Sequence, residues 1–250
     1  MEKHIWLLLS LILALWISGP AQAQNQVDHS PYALLLKHHV VGSRVNYDGF
    51  KKDEALLDQY LAHLGTVKPA TLSRNEAMAF YINAYNAFTI KLILSKYPDL
   101  NSIKELGSFF SSPWDKKFIS LGGHKISLDH IEHEILRPQY KDPRIHFAVN
   151  CASKGCPPLR NTPYTGRDLN RQLDEQTTAF INNPKRNFFR EGTLFLSKIF
   201  RWFREDFNDN PAAFVRQYAR GDLKRTLDRA AQGGAKIKLS YLSYDWSLNR

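Results

Sequence analysis

Cysteine is scarce in this chain. Its 250 residues hold two, Cys151 and Cys156, so at most one intramolecular disulfide can form. Their spacing is C-x4-C, which excludes the C-x-x-C redox motif. The His-Glu-x-x-His zinc signature is missing as well. No internal repeat is visible, which excludes repeat architectures. Past the N-terminal segment no apolar run is long enough to span a bilayer. Lys and Arg outnumber Asp and Glu, 34 to 24, and the net charge is +10. The basic residues are scattered, with the densest spots at 198–204 and 216–229.

The N-terminus has a recognisable order. Lys3 and His4 precede an apolar run from Ile5 to Ile17, and Ala21-Gln22-Ala23 follows. A basic start, an apolar stretch and a small-x-small site read as a secretory signal peptide, with cleavage after Ala23. The competing reading is an uncleaved N-terminal anchor. The expected organisation is a signal peptide at 1–23, a short tail at 24–30 and one domain at 31–250. The expected location is periplasmic or secreted. Export argues against nucleic acid as a partner; a basic exported protein is expected to associate weakly with anionic surfaces. The substrate or protein partner at the cell envelope is not identified by these features.

Hydropathy and capping signals predict helices over 32–41 and 52–64. Ser73-Arg-Asn-Glu76 is a capping box opening a helix that is apolar nearly all round and stops before Pro98, which predicts a central buried helix. Ser102 to Glu105 is a second box. Gly122-Gly123 and Glu191-Gly192 predict β-hairpins within 118–128 and 187–197. A helix over 129–136 is expected to end before Pro138. Period-two alternation predicts a strand over 145–150. Helices are expected over 165–182, capped by Thr165, and from Asn210-Pro211; an edge strand is expected over 236–242. Helices outnumber strands and the strands come in hairpins. The expected class is α+β: a helix-rich single domain with a small antiparallel sheet built from hairpins.

The most informative stretch is Arg144–Leu159, RIHFAVNCASKGCPPL, which holds both cysteines and His146. Pro157 and Pro158 end regular structure there. Three readings of the cysteines stand. They form a local disulfide; or Cys151 is a thiolate nucleophile activated by His146, His130 or His133; or they are small buried side chains. On a regular strand His146 would lie on the face opposite Cys151. His130, His133 and Glu134 share a helix face and could ligate a metal, but the spacing carries no metal signature, and no metal or cofactor is expected. Asn83 and Asn86 sit in the apolar helix, where amides must be hydrogen-bonded. Their sharper role would be orienting a catalytic group.

The blocks Tyr81–Ala87, Ser127–His133 with Ile135–Arg137, Ile145–Ser153 with Cys156–Pro158, Ile199–Phe207 and Tyr244–Asn249 resemble those of the DUF547 family, in family order. The resemblance implies a domain of unknown function found in exported bacterial proteins and in eukaryotic proteins. It carries no established reaction. A distant relation to papain-like or transglutaminase-like thiol enzymes is expected, but no residue-by-residue match transfers a catalytic role. The candidate catalytic residues are Cys151, His146, His130 and Asn83. The candidate binding residues are Asn86, Asn150, Cys156, Glu132, His133, Trp202, Asp245 and Trp246. The expected activity is a thiol-dependent hydrolase or acyl transferase acting on an amide or ester. The alternative is a peptide, glycan or protein binding module clipped by a Cys151–Cys156 disulfide.

Overall fold

The computed structural model describes residues 26–108, 110–234 and 237–250. The segment read as a signal peptide lies outside the described residues. Helix α1 (Ser30–His39) begins with a proline in its first turn and leads into a two-residue hairpin, β1 (Val40–Val41) and β2 (Arg44–Val45). Asn46 caps α2 (Tyr47–Lys52) by accepting from the Gly49 N–H at 3.0 Å. Helix α3 (Glu54–Thr66) follows.

Helix α4 (Arg74–Leu94) is the centre of the molecule: 17 of its 21 residues are buried, so every face meets protein. Against the expectation that no run past the N-terminal segment is long enough to span a bilayer, it is long and apolar enough to cross a membrane, and it is buried as core. The capping box at its start is only half made. Ser73 Oγ accepts from the Glu76 N–H at 3.3 Å, but Glu76 does not reach back. Its buried carboxylate accepts instead from the backbone N–H groups of Val27 (3.1 Å) and Gly166 (2.7 Å). A Cβ on residue 166 would stand 2.4 Å from that carboxylate, so only glycine fits there. The second box gives a single 3₁₀ turn, Ile103–Leu106, in which Glu105 accepts from the Asn101 N–H.

β3 (Ile119–Leu121) and β4 (His124–Ile126) form the predicted hairpin, with Gly122 and Gly123 at φ 58° and 80°. The next two expectations fail. The helix expected to stop before Pro138 runs on from His130 to Tyr140 as a π-helix. Its wider turn relieves the clash between a proline ring and the carbonyl four residues back, which is what ends an α-helix. The strand expected over 145–150 does not form. Asp142 accepts from the Arg144 N–H, Pro143 follows the cap, and residues 143–147 wind into a 3₁₀ helix. Residues 145–150 are all buried, so the alternation of types has no exposed face to report. Three residues per turn send Ile145, His146 and Phe147 in three directions. Ile145 joins the large core around α4 and Phe147 joins a second core built on Phe180, Phe200 and Phe207.

Helix α5 (Leu169–Ile181) starts later than predicted, because Thr165 and Asp168 close a turn before it and the Gly166 N–H is held by Glu76. β5 (Phe188–Arg190) and β6 (Thr193–Leu196) pair across Glu191-Gly192. Then come α6 (Ile199–Trp202), a 3₁₀ turn over Arg204–Phe207, α7 (Pro211–Tyr218) capped by Asn210, and α8 (Gly221–Gln232). The last strand, β7 (Lys238–Tyr241), lies at a sheet edge as predicted, but parallel to β6 rather than in a hairpin. The class is a helix-rich α+β fold, with three small sheets among the described residues. The tail beyond β7 is pinned to the cysteine loop: Lys154 N–H donates to Ser247 O, Gly155 N–H to Asp245 O, and Asn249 N–H to Ala152 O.

Candidate functional site

Four segments distant in sequence meet at one cavity of about 170 Å³. The π-helix brings Glu132 and His133, and the 3₁₀ turn brings His146. The loop after it brings Cys151 and Cys156; α6 and the tail bring Trp202, Phe203, Tyr244 and Trp246. Seven of the residues singled out in the sequence therefore line one wall or another of the same cavity. The objection that His146 faces away from Cys151 falls with the strand on which it rested.

His146 is 2% exposed and tightly oriented. Its Nε2 lies 2.6 Å from Asp206 Oδ2. Arg137 grips the same carboxylate through Nε (2.6 Å) and Nη2 (3.0 Å) and also pairs with Glu205. Phe203 stacks on the imidazole, 3.9 Å between ring centroids. Burial opposes charge on Asp206, but hydrogen bonds from His146 and Arg137 outweigh it and hold the carboxyl well below its usual range. Burial pulls the His146 pKa down, with Asp206 opposing. A neutral imidazole beside an ionised carboxylate must carry its proton on Nε2, because the carboxylate can only accept. Nδ1 then has the lone pair. It is buried, has no hydrogen-bond partner, and stands 3.9 Å from Glu132 Oε1, beyond hydrogen-bond reach.

The cysteines are joined: Cys151 and Cys156 form a disulfide. Cys151 Sγ is partly exposed to the cavity and lies 3.2 Å from both Ser153 Oγ and Tyr244 OH. Cys156 is 6% exposed, and its sulfur accepts from the Cys151 N–H. Gly155 lets the loop press on the Tyr244 ring; a Cβ there would stand 2.6 Å from it. Ala152 takes φ 62°, a left-handed conformation that costs a non-glycine residue about 1–2 kcal/mol. Asn150 Oδ1, accepting from the Ala152 N–H at 3.0 Å, holds it there. With a sequence separation of only 5, the bond closes a short loop. Cys156→Ser is accordingly expected to destabilise the fold by about 2 kcal/mol, from the small loop entropy at stake. Urea unfolding of variant and oxidised parent checks this. A loss above about 5 kcal/mol would mean that the bond holds more than its own loop.

The wall beside the cysteine loop is aromatic. Trp202, Tyr244 and Trp246 pack with centroids 4.6–5.6 Å apart, and Trp114 meets Trp246 at 5.8 Å. Two acids face them. Burial raises the Glu132 carboxyl, against the opposing pull of His133 and Tyr85. Asp129 is pushed up to about 7, by burial first, then by sharing a hydrogen bond with Asp115 and by the Asp115 and Glu132 charges. The linkage sign follows. The folded state binds a proton at Asp129 that the unfolded state releases near pH 4, so this group costs stability as pH rises from about 4 to about 7. Asp129→Asn is expected to flatten that part of the stability–pH curve, read from urea midpoints across the range.

The remaining candidates lie elsewhere. His130 is exposed. Asn83 is buried among the N-terminal segment and the loop before α5, donating to Tyr164 O (2.8 Å) and accepting from the Tyr164 N–H (2.9 Å). Asn86 does for the cysteine loop what Asn83 does for that one, donating to Ala148 O and accepting from the Asn150 N–H. Asn150 donates to Pro157 O and accepts from Asn249 Nδ2. Asp245 caps its own turn through the N–H and hydroxyl of Ser247. The residues missed are Asp206, Asp129, Tyr85 and Tyr244. Asp206 and Tyr244 stand inside the blocks at 199–207 and 244–249, which were the available signal.

No curated protein and no solved structure matches the chain. Residues 69–181 match the family model described as "Protein of unknown function, DUF547", a stretch that includes α4, the π-helix, His146 and both cysteines. Asp206, which holds His146, and Tyr244 and Trp246, which line the cavity, fall beyond it. Over those residues the chain is similar to the DUF547 family.

Proposed function

We propose that this cavity is the active site of a thiol-dependent hydrolase or acyl transferase that works in the reduced protein. The observation that carries the reading is His146: one ring nitrogen is fixed by Asp206, and the other is left unpartnered in a residue that lines the cavity together with Cys151. A thiol reductant first opens the Cys151–Cys156 bond. Cys151 Sγ then attacks the acyl carbon of an amide or ester while its proton passes to His146 Nδ1. The C–S bond forms, the bond to the leaving nitrogen or oxygen breaks, and His146 returns the proton to the leaving group. Water, or an amine or alcohol acceptor, then cleaves the thioester and restores the thiol. Asp206 stabilises the imidazolium between the two transfers. Asn86 and Asn150 act by holding the loop, not by touching substrate.

The test is acyl capture. Reduced protein is incubated with a panel of activated esters and amides, and adducts are mapped by mass spectrometry. Acylation of Cys151 in the reduced parent, absent in the oxidised protein and in Cys151→Ser, is expected. A reduced protein that acquires no adduct on Cys151 from any member of the panel sinks the reading. The disulfide itself favours a second reading, a non-catalytic module whose aromatic cavity binds a ligand while the Cys151–Cys156 clip stays closed. That reading requires full ligand binding by the oxidised protein and by Cys151→Ser. The setting in both cases is the cell envelope, on the strength of the N-terminal segment.

A further inference from the structure

A second cavity lies behind the cysteine loop, and its charge is one-sided. Its volume is about 320 Å³, and Cys156 and Pro157 separate it from the first cavity by lining both. Four cationic side chains line it, Arg44, Lys154, Arg186 and Arg250, together with the hydroxyls of Ser43 and Ser153; no carboxylate side chain is among its lining residues. Two of the four cations are already engaged. Arg186 donates to the backbone carbonyls of Lys154 and Gly155, and Arg250 donates to Asn101 Oδ1 at 3.2 Å. Among the described residues, the charged ends of Arg44 and Lys154 make no hydrogen bond or ion pair. Asp245 feels the charges of Lys154 and Arg186, but its carboxylate is turned to Ser247 and is not in the lining. Gathering four cationic side chains around one concavity with no acidic side chain in its lining is unfavourable, and a bound anion relieves it.

We propose that this cavity is a binding site for a phosphate-type dianion, either free or as part of a headgroup. Two unpaired cations match a doubly charged oxyanion, and guanidinium and ammonium donors suit its oxygens. The ligand would press on the same loop that presents Cys151 on its other side. This inference does not rest on the thiol reading, and the oxidised protein tests it.

The experiment is calorimetric titration of the oxidised full chain with inorganic phosphate at constant ionic strength set by chloride, alongside co-sedimentation with vesicles containing phosphatidic acid, whose phosphomonoester headgroup can carry two charges. The comparison is the double variant Arg44→Ala with Lys154→Ala, both on the surface, and the control is Arg216→Ala, remote and paired with Asp228. Saturable phosphate binding that weakens about tenfold or more in the double variant and not in the control supports a free oxyanion. Loss of vesicle binding in the double variant, without saturable binding of phosphate, supports the headgroup source. Phosphate and vesicle binding that the double variant leaves unchanged, or no binding in either assay, overturns the proposal.

Discussion

Asp206→Asn in the reduced protein is expected to cripple the site while leaving its shape. The carboxylate fixes the orientation of His146 and, in the proposed reaction, places a negative charge beside the imidazolium that would form as Cys151 loses its proton. An isosteric amide keeps much of the first and removes the second. A free thiol titrates near pH 8.5, and a histidine partner lowers that value. The midpoint of Cys151 alkylation against pH is therefore expected below 8.5 in the reduced parent and back at about 8.5 in the variant. Turnover of any acyl substrate is expected to fall by about 10²–10⁴, the usual contribution of a general base. Iodoacetamide kinetics across pH, with each cysteine followed separately by mass spectrometry, read the first effect. A variant that titrates like the parent removes Asp206, and with it His146, from the activation of Cys151.

The largest loss of stability expected from a single amide is at Asn86. It is 3% exposed and brackets the loop with two bonds, one to Ala148 O at 3.0 Å and one from the Asn150 N–H at 2.7 Å. Asn86→Ala strands both backbone groups in the core, at about 1–3 kcal/mol each. Summed to about 2–6 kcal/mol, that lowers the melting temperature by about 4–24 °C in a domain of this size. The matched comparison is Thr89, one turn along the same helix, whose buried hydroxyl has no partner. Thr89→Val replaces that hydroxyl by a methyl of like shape and is expected to be neutral or stabilising. Calorimetry of both variants separates the loss of a bracket from mere disturbance of α4. Equal losses from the two would mean that packing, not hydrogen bonding, sets the importance of Asn86.

Local signals in the sequence were read correctly where local physics decides the outcome. α4 is apolar on every face and begins at a serine cap, so a buried helix was legible. Hairpins at Gly122-Gly123 and Glu191-Gly192 followed from the positive φ those turns need. The stretch 145–150 misled because alternation implies a strand only when one side faces water. Here both sides are buried, with Ile145, Ala148 and Val149 in one core and Phe147 in the other, and Asp142-Pro143 starts a 3₁₀ turn instead. Pro138 misled because the rule that proline ends a helix assumes α geometry.

What the sequence determined by itself is therefore the set of elements whose stability is local: caps, turns, the central helix, and a cysteine-bearing loop stiffened by prolines. It also marked the block containing Asp206, without a reason to choose that acid over Glu205. Tertiary structure alone decided that Asp206, 60 residues from His146, is its partner. The same holds for the meeting of the tail's Tyr244 and Trp246 with Cys151 and for the four cations behind the loop. The reason is physical. Which acid desolvates against a buried histidine depends on how the Phe147 and α4 cores stack across the chain, and no periodicity along the chain records that.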